Sequence, residues 1–553
     1  MSSSWLDTSS HRSWLEQGLA RVLTAALPSI RPEGGFAWLD AEGSPLPGRT
    51  PQLFLTARMA HTSAIGVRHG IPGSGELLEH AMDSLMGLHA DTEHGGWLSE
   101  PGVVTRKSTY DHVHVGLAAA SALEVGHPSA ASLLGQVVNI IEARLWDEET
   151  RTLRESFAAD WSDSEDYRGA NANMHGLEAF LAMGRATGDA VWHVRGLAIA
   201  ERLINHHARE RDWLIPEHFT ADWVVRPDYN EGEPEDPFRP FGATFGHSLE
   251  WARFLLDLDR SPLVDSPGWL TESAEALTRR ALDGGWALDG RPGLVYTVGW
   301  DGLPVAVVRL HWPVCEGIQA AAALHRRTGD PHWEQWYRRL WDHAARYFID
   351  ERGTWRNELG ADMAEAGTVW PGRPDVYHCG GALAGPLDLD PTDAGVIARA
   401  QRATFASGVL ISADDLRVEQ EYHRDKATLH NRALHGTGVV EGLEVVCEGD
   451  GFRVTPGFAL DARGREILLT EDVRVEGAGM VEGVERHLVA AFGEVVSASI
   501  PGPDGPVDAM VVEHPVVTLV TGEDLGPDAV VLATVRWQGT GARVIDLARR
   551  RTV

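Results

Sequence analysis

The feature that most constrains the fold is a weak internal repeat in the first 390 residues. The segments that begin at His175 and Glu316 share one layout: a polar residue, a helix of small and apolar residues, the tripeptide Thr-Gly-Asp, and a helix rich in aromatic residues. The glycine of the tripeptide suits the C-terminal cap of the first helix, and the aspartate suits the N-cap of the second. The repeat therefore predicts helical pairs in which His175 and Glu316 occupy equivalent positions.

Four further polar residues fit the same position near the start of a first helix: Arg58, Tyr110, His247 and His378. The six positions lie roughly fifty to seventy residues apart, a plausible length for a helical pair with its loops. Six pairs closed into a ring would direct all six side chains into one mouth. The pattern predicts an all-α (α/α)6 barrel, with the small-residue helices inside and the Trp- and Arg-rich helices outside.

Histidines occupy three of these six positions. Imidazole is the side chain best suited to transfer protons near neutral pH. A single histidine of this kind is more often structural, but His175, His247 and His378 come from separate helices and together indicate one proton-transfer site. A purely structural role stays open for them, and Arg58 could simply pair with a buried carboxylate.

Charge and composition argue against several classes of function. The formal net charge of −31 at pH 7 repels nucleic acid and anionic membranes, so neither is expected as a partner. Lys107 and Lys426 are the only lysines, which disfavours Schiff-base chemistry. The sequence shows neither a leader pattern nor an apolar run long enough to cross a bilayer, so a cytoplasmic location is the expectation. The three cysteines lack metal-site spacing, and no metal or other cofactor is expected.

The composition changes near residue 390, which predicts a second domain. Two prolines and three aspartates between residues 385 and 393 suit neither a helix nor a strand. Ser412 or Asp415 could then cap an amphipathic helix that ends near Leu434, and β-rich runs separated by Gly, Pro and Asp follow. Residues 395–553 are therefore predicted to form a smaller, mainly β domain, a helix followed by a sandwich or barrel.

Nine short segments distributed along residues 1–390 carry a further pattern. They are residues 38–40, 56–61, 107–112, 171–179, 217–219, 228–230, 236–253, 311–316 and 373–378, and they include Gly-His-Ser-Leu-Glu-Trp-Ala-Arg at 246–253 and Arg-Pro-Asp-Val-Tyr-His at 373–378. Each is weak alone. Together, in this order, they resemble the N-acylglucosamine 2-epimerase superfamily, with the closest likeness to its mannose isomerase branch. The resemblance implies an (α/α)6 barrel and metal-free interconversion of mannose and fructose, with a monosaccharide as substrate.

The resemblance also implies roles for the residues that match the motifs. His378 would carry a proton between C2 and C1 through a cis-enediol, His247 would act on the sugar oxygens or as the second acid–base group, and His175 would assist ring opening or hold a hydroxyl. The implied substrate-binding residues are Arg58, Tyr110, Asn171 and Glu316, with Glu250 binding the sugar or orienting His247, and with Trp251 and Trp312 as walls for the sugar face. For the two tryptophans, core packing is an equally open interpretation.

Other activities fit the same sequence. A C2 epimerase of a free sugar or disaccharide would need bases on both faces of the enediol. A sulfoquinovose isomerase would need a cation for the sulfonate, and Arg239 or Arg253 cannot be assigned to it from sequence. A glycoside hydrolase or lyase would use a carboxylate pair such as Glu250 and Glu316. A sugar-binding or assembly protein without catalysis is the remaining alternative.

Two departures from the family pattern leave the state of the site open. Phe245 stands where proline is frequent before Gly-His, and Gly380 and Gly381 follow His378 closely. The glycines weaken the start of that helix, so they could let His378 move or could indicate an altered site.

The C-terminal part resembles a module of uncharacterised bacterial proteins, through residues 426–443 and 456–467. That resemblance implies no activity, and the partner of this module stays unknown. His423, His430 and His435 do not stack on one helical face, which disfavours a metal site there.

Overall fold

The structure is a computed structural model that divides into two compact units, Met1–Gly395 and Val396–Val553. In the first unit it describes residues 4–389 without a gap. In the second it describes residues 420, 423–424, 426–428, 430–431, 435–448, 451–462, 464–476, 484–502, 505–521, 529–538 and 542–546. The division falls beside the predicted domain boundary, and the predicted helix from Ser412 to about Leu434 lies largely outside the described residues.

The first unit is helical. Its α-helices within residues 4–389 are α1 (Ser9–Ala26), α2 (Leu53–Arg68), α3 (Ser74–Met86), α4 (Thr109–Glu124), α5 (Ala130–Ile140), α6 (Ala170–Thr187), α7 (Ala190–Ala200), α8 (Phe245–Asp259), α9 (Trp269–Gly285), α10 (His311–Thr328), α11 (Pro331–His343) and α12 (Tyr377–Asp388). Helices α5, α7 and α11 continue as wider π-type turns over Ile141–Leu145, Glu201–Ala208 and Ala344–Phe348. None of the helices in the described part of the chain is both long and apolar enough to span a membrane.

The even-numbered helices contact one another in a closed cycle. Each of α2, α4, α6, α8 and α10 contacts the next in the series, and α12 returns to α2. The odd-numbered helices lie outside this ring, with α3, α5, α7, α9 and α11 each packed against the ring helix that precedes it and α1 packed against α12. Small residues such as Ala118–Ala120 of α4 and Ala320–Ala322 of α10 are completely buried and allow the ring helices to approach closely.

The two glycines after His378 are explained by this close packing. A Cβ atom at Gly380 would lie 2.5 Å from Cγ2 of Thr62 on α2, and one at Gly381 would lie 3.1 Å from the amide of Gln319 on α10. Since α12 contacts both α2 and α10 and so closes the ring, the glycines permit that closure. They are therefore a packing feature of the ring and no evidence of a damaged site.

Short antiparallel ladders lie in the loops that lead into the ring helices. They pair β1 (Lys107–Ser108) with β4 (Ser156–Phe157), β2 (Trp146–Asp147) with β3 (Thr152–Leu153), β5 (Arg168–Gly169) with β6 (His218–Phe219), β7 (Thr297–Val298) with β8 (Pro304–Ala306), and β9 (Arg309–Leu310) with β10 (Glu358–Leu359). Strands β1, β5 and β9 directly precede α4, α6 and α10. The ladders therefore fix the N-terminal ends of three ring helices, where the candidate site residues begin.

The second unit is rich in β-strands, as predicted. Its described strands are β11 (Gly438–Gly442), β12 (Val445–Glu448), β13 (Gly451–Val454), β14 (Gly457–Leu460), β15 (Glu466–Leu469), β16 (Val473–Glu476), β17 (Glu485–Ala491), β18 (Glu494–Gly502), β19 (Gly505–Glu513), β20 (Val516–Val520), β21 (Val530–Gln538) and β22 (Ala542–Asp546). They form antiparallel sheets in the orders β11-β14-β15, β12-β13-β16 and β20-β17-β21-β22, and a β18-β19 hairpin. Phe452, Ile467, Leu488 and Leu532 belong to one apolar core.

Candidate active site

A cavity of about 70 Å³, here called the site cavity, lies at the N-terminal ends of the ring helices. Five of the six positions predicted from the repeat line it: Arg58 of α2, Tyr110 of α4, His175 of α6, His247 of α8 and His378 of α12. The other lining residues are Phe54, Leu55, Asn171, Pro237, Phe238, Pro240, Glu250, Tyr296, His311, Trp312, Asn357, Trp370, Pro374 and Asp375. The ring thus brings residues as distant in sequence as Arg58 and His378, which are 320 positions apart, to one cavity.

Glu316 differs from the prediction because it lies behind His378 and does not line the site cavity. Its Oε1 atom is 2.9 Å from Nδ1 of His378, and both residues are buried. A carboxylate at Nδ1 fixes the proton on that nitrogen and leaves Nε2 as the basic nitrogen. Burial lowers the pKa of His378 well below its usual value, so the imidazole is neutral at neutral pH and can accept a proton. The predicted direct binding of sugar by Glu316 is therefore replaced by orientation of His378.

His247 has its own carboxylate partner, which is a different residue from the predicted one. Nδ1 of His247 lies 2.8 Å from Oε1 of Glu217, a buried residue directly before β6. Glu250 was predicted either to orient His247 or to bind the sugar, and the structure assigns the orientation to Glu217. Glu217 opens the motif segment 217–219, which was its signal in the sequence, but it comes from a loop 30 positions before His247, and no periodicity connects the two residues.

His175 forms a third pair, with Glu178 one turn further along α6. Nδ1 of His175 lies 3.0 Å from Oε2 of Glu178, and burial lowers the pKa of His175 to about 4. Burial alone would raise the pKa of Glu178, but the hydrogen bond from His175 and the charge of Arg253 hold it well below the usual range. The hydroxyl of Tyr377 also donates to this carboxylate. The spacing of three residues on a helix could have revealed Glu178 from the sequence.

Arg58 both lines the cavity and pairs with a buried carboxylate. It donates from Nη2 to the Tyr110 hydroxyl at 2.7 Å and from Nε to Nε2 of His114 at 3.1 Å, and Nη1 lies 3.7 Å from Asp375. Burial opposes its charge, but Tyr110 and Asp375 outweigh that effect and raise the pKa of Arg58 above its ordinary value. A permanent cation at this wall can stabilise an oxyanion in the cavity.

Glu250 and Asn171 present buried polar atoms without protein partners. Oε1 of Glu250 and Oδ1 of Asn171 have no hydrogen-bond partner among the residues that the structure describes, and both side chains line the site cavity. Burial, together with the nearby Glu316 and Glu178, raises the pKa of Glu250 well above its usual value. This shift favours the protonated form of Glu250, and a ligand rich in hydroxyl groups would satisfy both atoms.

Of the two tryptophans predicted as walls for the sugar, Trp312 lines the cavity and Trp251 does not. The ring of Trp312 lies 5.2 Å from that of His247 and 5.7 Å from that of His378, between centroids. Trp251 is completely buried in the hydrophobic core and does not line the cavity, so the prediction of a sugar contact for Trp251 is wrong. Both tryptophans belong to ring helices, α8 and α10. The sequence pattern of a ring helix does not indicate which of the two faces the cavity.

Several site residues were not singled out from the sequence. Asp375 lies beside Arg58, and His311, Asn357, Phe238 and Trp370 line the cavity from loops and from the start of α10. Asp375 and Phe238 lie within two of the nine motif segments, 373–378 and 236–253. That position was the indication in the sequence that they belong to the site. Asn357 and Trp370 belong to loops between helices and carried no such signal.

Among the residues that the structure describes, two clusters could offer three ligand atoms to a metal ion: His114, His175 and Glu178, and Glu250, Glu316 and His378. In the first cluster, the Arg58 guanidinium donates to His114, so a divalent cation would have to displace a positive charge. In the second, one oxygen of Glu316 accepts from His378 and the other from Arg253. Ligand atoms in both clusters are therefore already engaged in hydrogen bonds.

Comparison with known proteins identifies the family of the chain. A family model described as N-acylglucosamine 2-epimerase (GlcNAc 2-epimerase) matches residues 34–382. D-mannose isomerase of Thermobifida fusca is 46% identical over 402 residues, covering 71% of this chain and 98% of its own. D-mannose isomerase of Pseudomonas cannabina pv. alisalensis is 45% identical, covering 72% and 97%.

Solved structures with the same fold cover the helical unit. A crystal structure of D-mannose isomerase is 26% identical with a TM-score of 0.63, covering 68% of this chain and 97% of its own. Cellobiose 2-epimerase from Bacillus thermoamylovorans B4167 has a TM-score of 0.58 at 18% identity, which is a likeness of fold alone. The match over more than half of the chain, with relatives this similar across nearly their whole length, shows that the chain belongs to the N-acylglucosamine 2-epimerase family.

Proposed function

We propose that this protein is an aldose–ketose isomerase that interconverts D-mannose and D-fructose, on a ring that is the (α/α)6 barrel predicted from the repeat. The observation that carries the proposal is the set of three histidine–carboxylate pairs around one cavity, in a chain that is 45–46% identical to proteins named D-mannose isomerase. Buried imidazoles with one nitrogen held by a carboxylate are suited to take up and return a proton.

The reaction begins with opening of the sugar ring. His247 or His175 transfers a proton between the ring oxygen and the C1 hydroxyl, since both line the cavity with Nδ1 held by a carboxylate. The neutral acid Glu250 donates a hydrogen bond to a sugar oxygen at this stage. The product of this step is the open-chain aldehyde.

The isomerisation is a proton transfer from C2 to C1. Nε2 of His378 removes the C2 proton. The electron pair of that C–H bond forms the C1–C2 double bond of a cis-enediolate, and the π electron pair of the C1–O1 carbonyl bond moves to O1. Arg58 and the Tyr110 hydroxyl stabilise the oxygen that gains negative charge. Glu316 stabilises the imidazolium. The O2 proton then moves to O1. The imidazolium returns its proton to C1, where the C1–C2 π electron pair forms the new C–H bond, while an O2 electron pair forms the C2–O2 double bond. The product is fructose, and His378 is neutral again.

A C2 epimerase is the second candidate, because two histidines flank one aromatic wall. The rings of His247 and His378 lie on the same tryptophan, Trp312, and both could exchange protons with C2 from different faces. A sulfoquinovose isomerase is disfavoured, since Arg239 is engaged with Glu165 and neither it nor Arg253 lines the site cavity. A hydrolase that uses Glu250 and Glu316 is disfavoured because Glu316 lies behind His378.

Product identity tests the proposal. Purified protein would be incubated with D-mannose, D-glucose, cellobiose and sulfoquinovose in separate reactions with a chelator, and the products would be separated by ion-exchange chromatography. The proposal predicts fructose from mannose. Glucose from mannose, or epimerisation of cellobiose, would transfer the assignment to a 2-epimerase, and turnover of sulfoquinovose alone would contradict the proposed substrate.

A further inference from the structure

One arginine contacts the carboxylates of two of the three histidine pairs. Arg253 of α8 places Nε 3.1 Å from Oε2 of Glu316 and Nη2 3.5 Å from Oε1 of Glu178. Glu316 belongs to α10 and Glu178 to α6, the two ring helices on either side of α8. Arg253 therefore lies behind the site and connects the partners of His378 and His175.

Arg253 does not line the site cavity, so a sugar held there is out of its reach. It contacts a second space, of about 780 Å³, at the C-terminal ends of the ring helices, here called the rear cavity. Glu178, Glu316 and Tyr377 also line the rear cavity, and the two cavities share no lining residue. A layer made of these side chains and Arg253 therefore separates the site cavity from the rear cavity.

Arg253 contributes a positive charge next to two buried carboxylates, Glu178 and Glu316. Burial raises the pKa of both carboxyl groups, and the charge of Arg253 opposes this effect. The pKa of Glu178 lies well below its usual value, whereas the pKa of Glu316 stays above its usual value. The remaining titratable groups that interact with Arg253 are Asp257 on its own helix, Tyr377 on α12, Glu250 on the neighbouring turn, and His61 on α2. None of these is a second cation at hydrogen-bond distance from Glu316, so loss of Arg253 would favour the protonated form of that carboxyl group.

We propose that Arg253 is a positioning residue that keeps Glu178 and Glu316 ionised and aligned, and thereby sets the Nδ1–H tautomer of His175 and His378 together. This inference rests on the proposed function for its kinetic consequences. One guanidinium couples the two histidines: if it is absent, both carboxylates lose a partner and both imidazoles lose their fixed orientation. Small misplacement of a catalytic group typically costs about 100-fold in rate.

The main experiment replaces Arg253 in the full chain and measures kinetics with D-mannose. Arg253→Ala is expected to lower kcat by about 100-fold while KM changes by less than about threefold, because the sugar does not contact Arg253. The acidic limb of the kcat–pH profile is expected to move to higher pH, because the carboxylates now protonate more readily. A merely structural role would not move that limb.

The rear cavity allows a chemical rescue. Guanidinium ion added at millimolar concentration, low enough not to unfold the protein, can reach the vacated position through the rear cavity without entering the site cavity. We expect it to restore kcat of Arg253→Ala by about tenfold or more, without competition from D-mannose. Arg260→Ala is the matched control, since Arg260 lines the same cavity and pairs with Asp257 but contacts neither Glu178 nor Glu316. This variant should keep wild-type kcat, and guanidinium should not stimulate it.

Several outcomes overturn the inference. A folded Arg253→Ala variant with kcat within about threefold of wild type and an unshifted pH profile would do so, as would a rise in KM alone, which would indicate direct sugar binding. If the alanine variant does not fold, Arg253→Lys provides the test, because a single ammonium cannot bond both carboxylates at their present positions. A folded lysine variant with wild-type kcat would equally contradict the inference.

A measurement without substrate separates this inference from the proposed function. Nitrogen-15 spectra of histidine-labelled protein report which ring nitrogen carries the proton. The wild type is expected to show His378 and His175 as Nδ1–H tautomers, and Arg253→Ala is expected to show mixed tautomers. If wild-type protein does not convert D-mannose, the proposed function fails, and the spectra still decide the role of Arg253. Unchanged tautomers in the alanine variant would refute it.

Discussion

The two units differ in what they bury. The helical unit encloses ionisable side chains such as His175, Glu250 and His378 around a cavity, whereas the described core of the β-rich unit consists mainly of residues such as Phe452 and Leu488. Burial of a polar group is unfavourable unless a partner compensates it. The comparison shows that the helical unit gathers several buried ionisable side chains around one cavity, which is the expected property of a catalytic site.

The buried polar groups of the β-rich unit have a different character. Asp461 accepts from Arg465 within a turn, Asn431 donates to the carbonyl oxygen of Gly464, and His487 bonds to Thr534. In the helical unit, by contrast, Glu250 and Asn171 keep polar atoms without a partner among the described residues. Satisfied groups stabilise a fold, and unsatisfied groups at a cavity indicate a ligand. We therefore expect catalysis to depend on the helical unit alone.

The largest expected effect is that of His378→Ala. Loss of the base that moves the C2 proton should lower kcat by about 10³-fold or more, while the far-ultraviolet circular dichroism spectrum stays unchanged. A steady-state assay of fructose formation measures this. His206→Ala, which changes an exposed histidine of the helical unit, is the matched control and should keep full activity. Turnover of His378→Ala within about threefold of wild type would contradict the role given to His378.

Replacing the carboxyl groups of Glu316 and Glu250 by amides should lower kcat less than His378→Ala does. The size of the loss should differ between the two positions. Glu316→Gln removes the negative charge that orients His378 and should lower kcat by about 10- to 100-fold. Glu250→Gln replaces a neutral acid by a neutral amide and should cost less than about tenfold. Parallel measurements of kcat for the two variants check this order. Equal losses, or a larger loss for Glu250→Gln, would show that Glu250 acts as an ionised base.

The stability of the helical unit should decrease in acid. Burial lowers the pKa of His175, His61 and His112 from 6.5 to about 4, so these groups bind protons in the unfolded chain before they do in the folded one. Stability is therefore fully present above about pH 6.5 and is lost as the pH falls towards about 4. Differential scanning calorimetry from about pH 7 to about pH 5 should show the unfolding temperature falling by several degrees. Constant or rising stability over this range would contradict the neutral state of these imidazoles.

The smallest expected effect is that of removing the β-rich unit. We predict that residues 1–390 fold alone and keep kcat within about twofold of the full chain, because every residue that lines the site cavity lies within them. The assay would compare both proteins at equal concentration of folded chain. A soluble, folded and inactive truncation would show that the β-rich unit supplies a residue or an assembly that catalysis requires.

The sequence predicted the residues that line the site cavity better than the residues that orient those side chains. The repeat placed Arg58, Tyr110, His175, His247 and His378 at equivalent helix starts, and the structure brings these five side chains to one cavity. Helical periodicity reveals which residues begin a helix, and the closed order of the ring then determines where they meet. The family predicted from the nine motif segments is confirmed.

The residues that orient the histidines could not be predicted in the same way. Glu217 comes from a loop, and the contact of Arg253 with both Glu178 and Glu316 depends on how three helices pack side by side. Such contacts depend on the relative rotation of the helices, which one sequence does not determine. The exclusion of Trp251 from the cavity has the same origin.

A nuclear magnetic resonance time course of the full chain with D-mannose in D2O, with a chelator present, would test the proton transfer between C2 and C1. We expect that the mannose signals decrease, that fructose appears, and that part of the fructose carries deuterium at C1, because the proton held by His378 exchanges with solvent between its removal from C2 and its return. Unchanged mannose, or fructose formed without any deuterium at C1 together with full activity of His378→Ala, would contradict it.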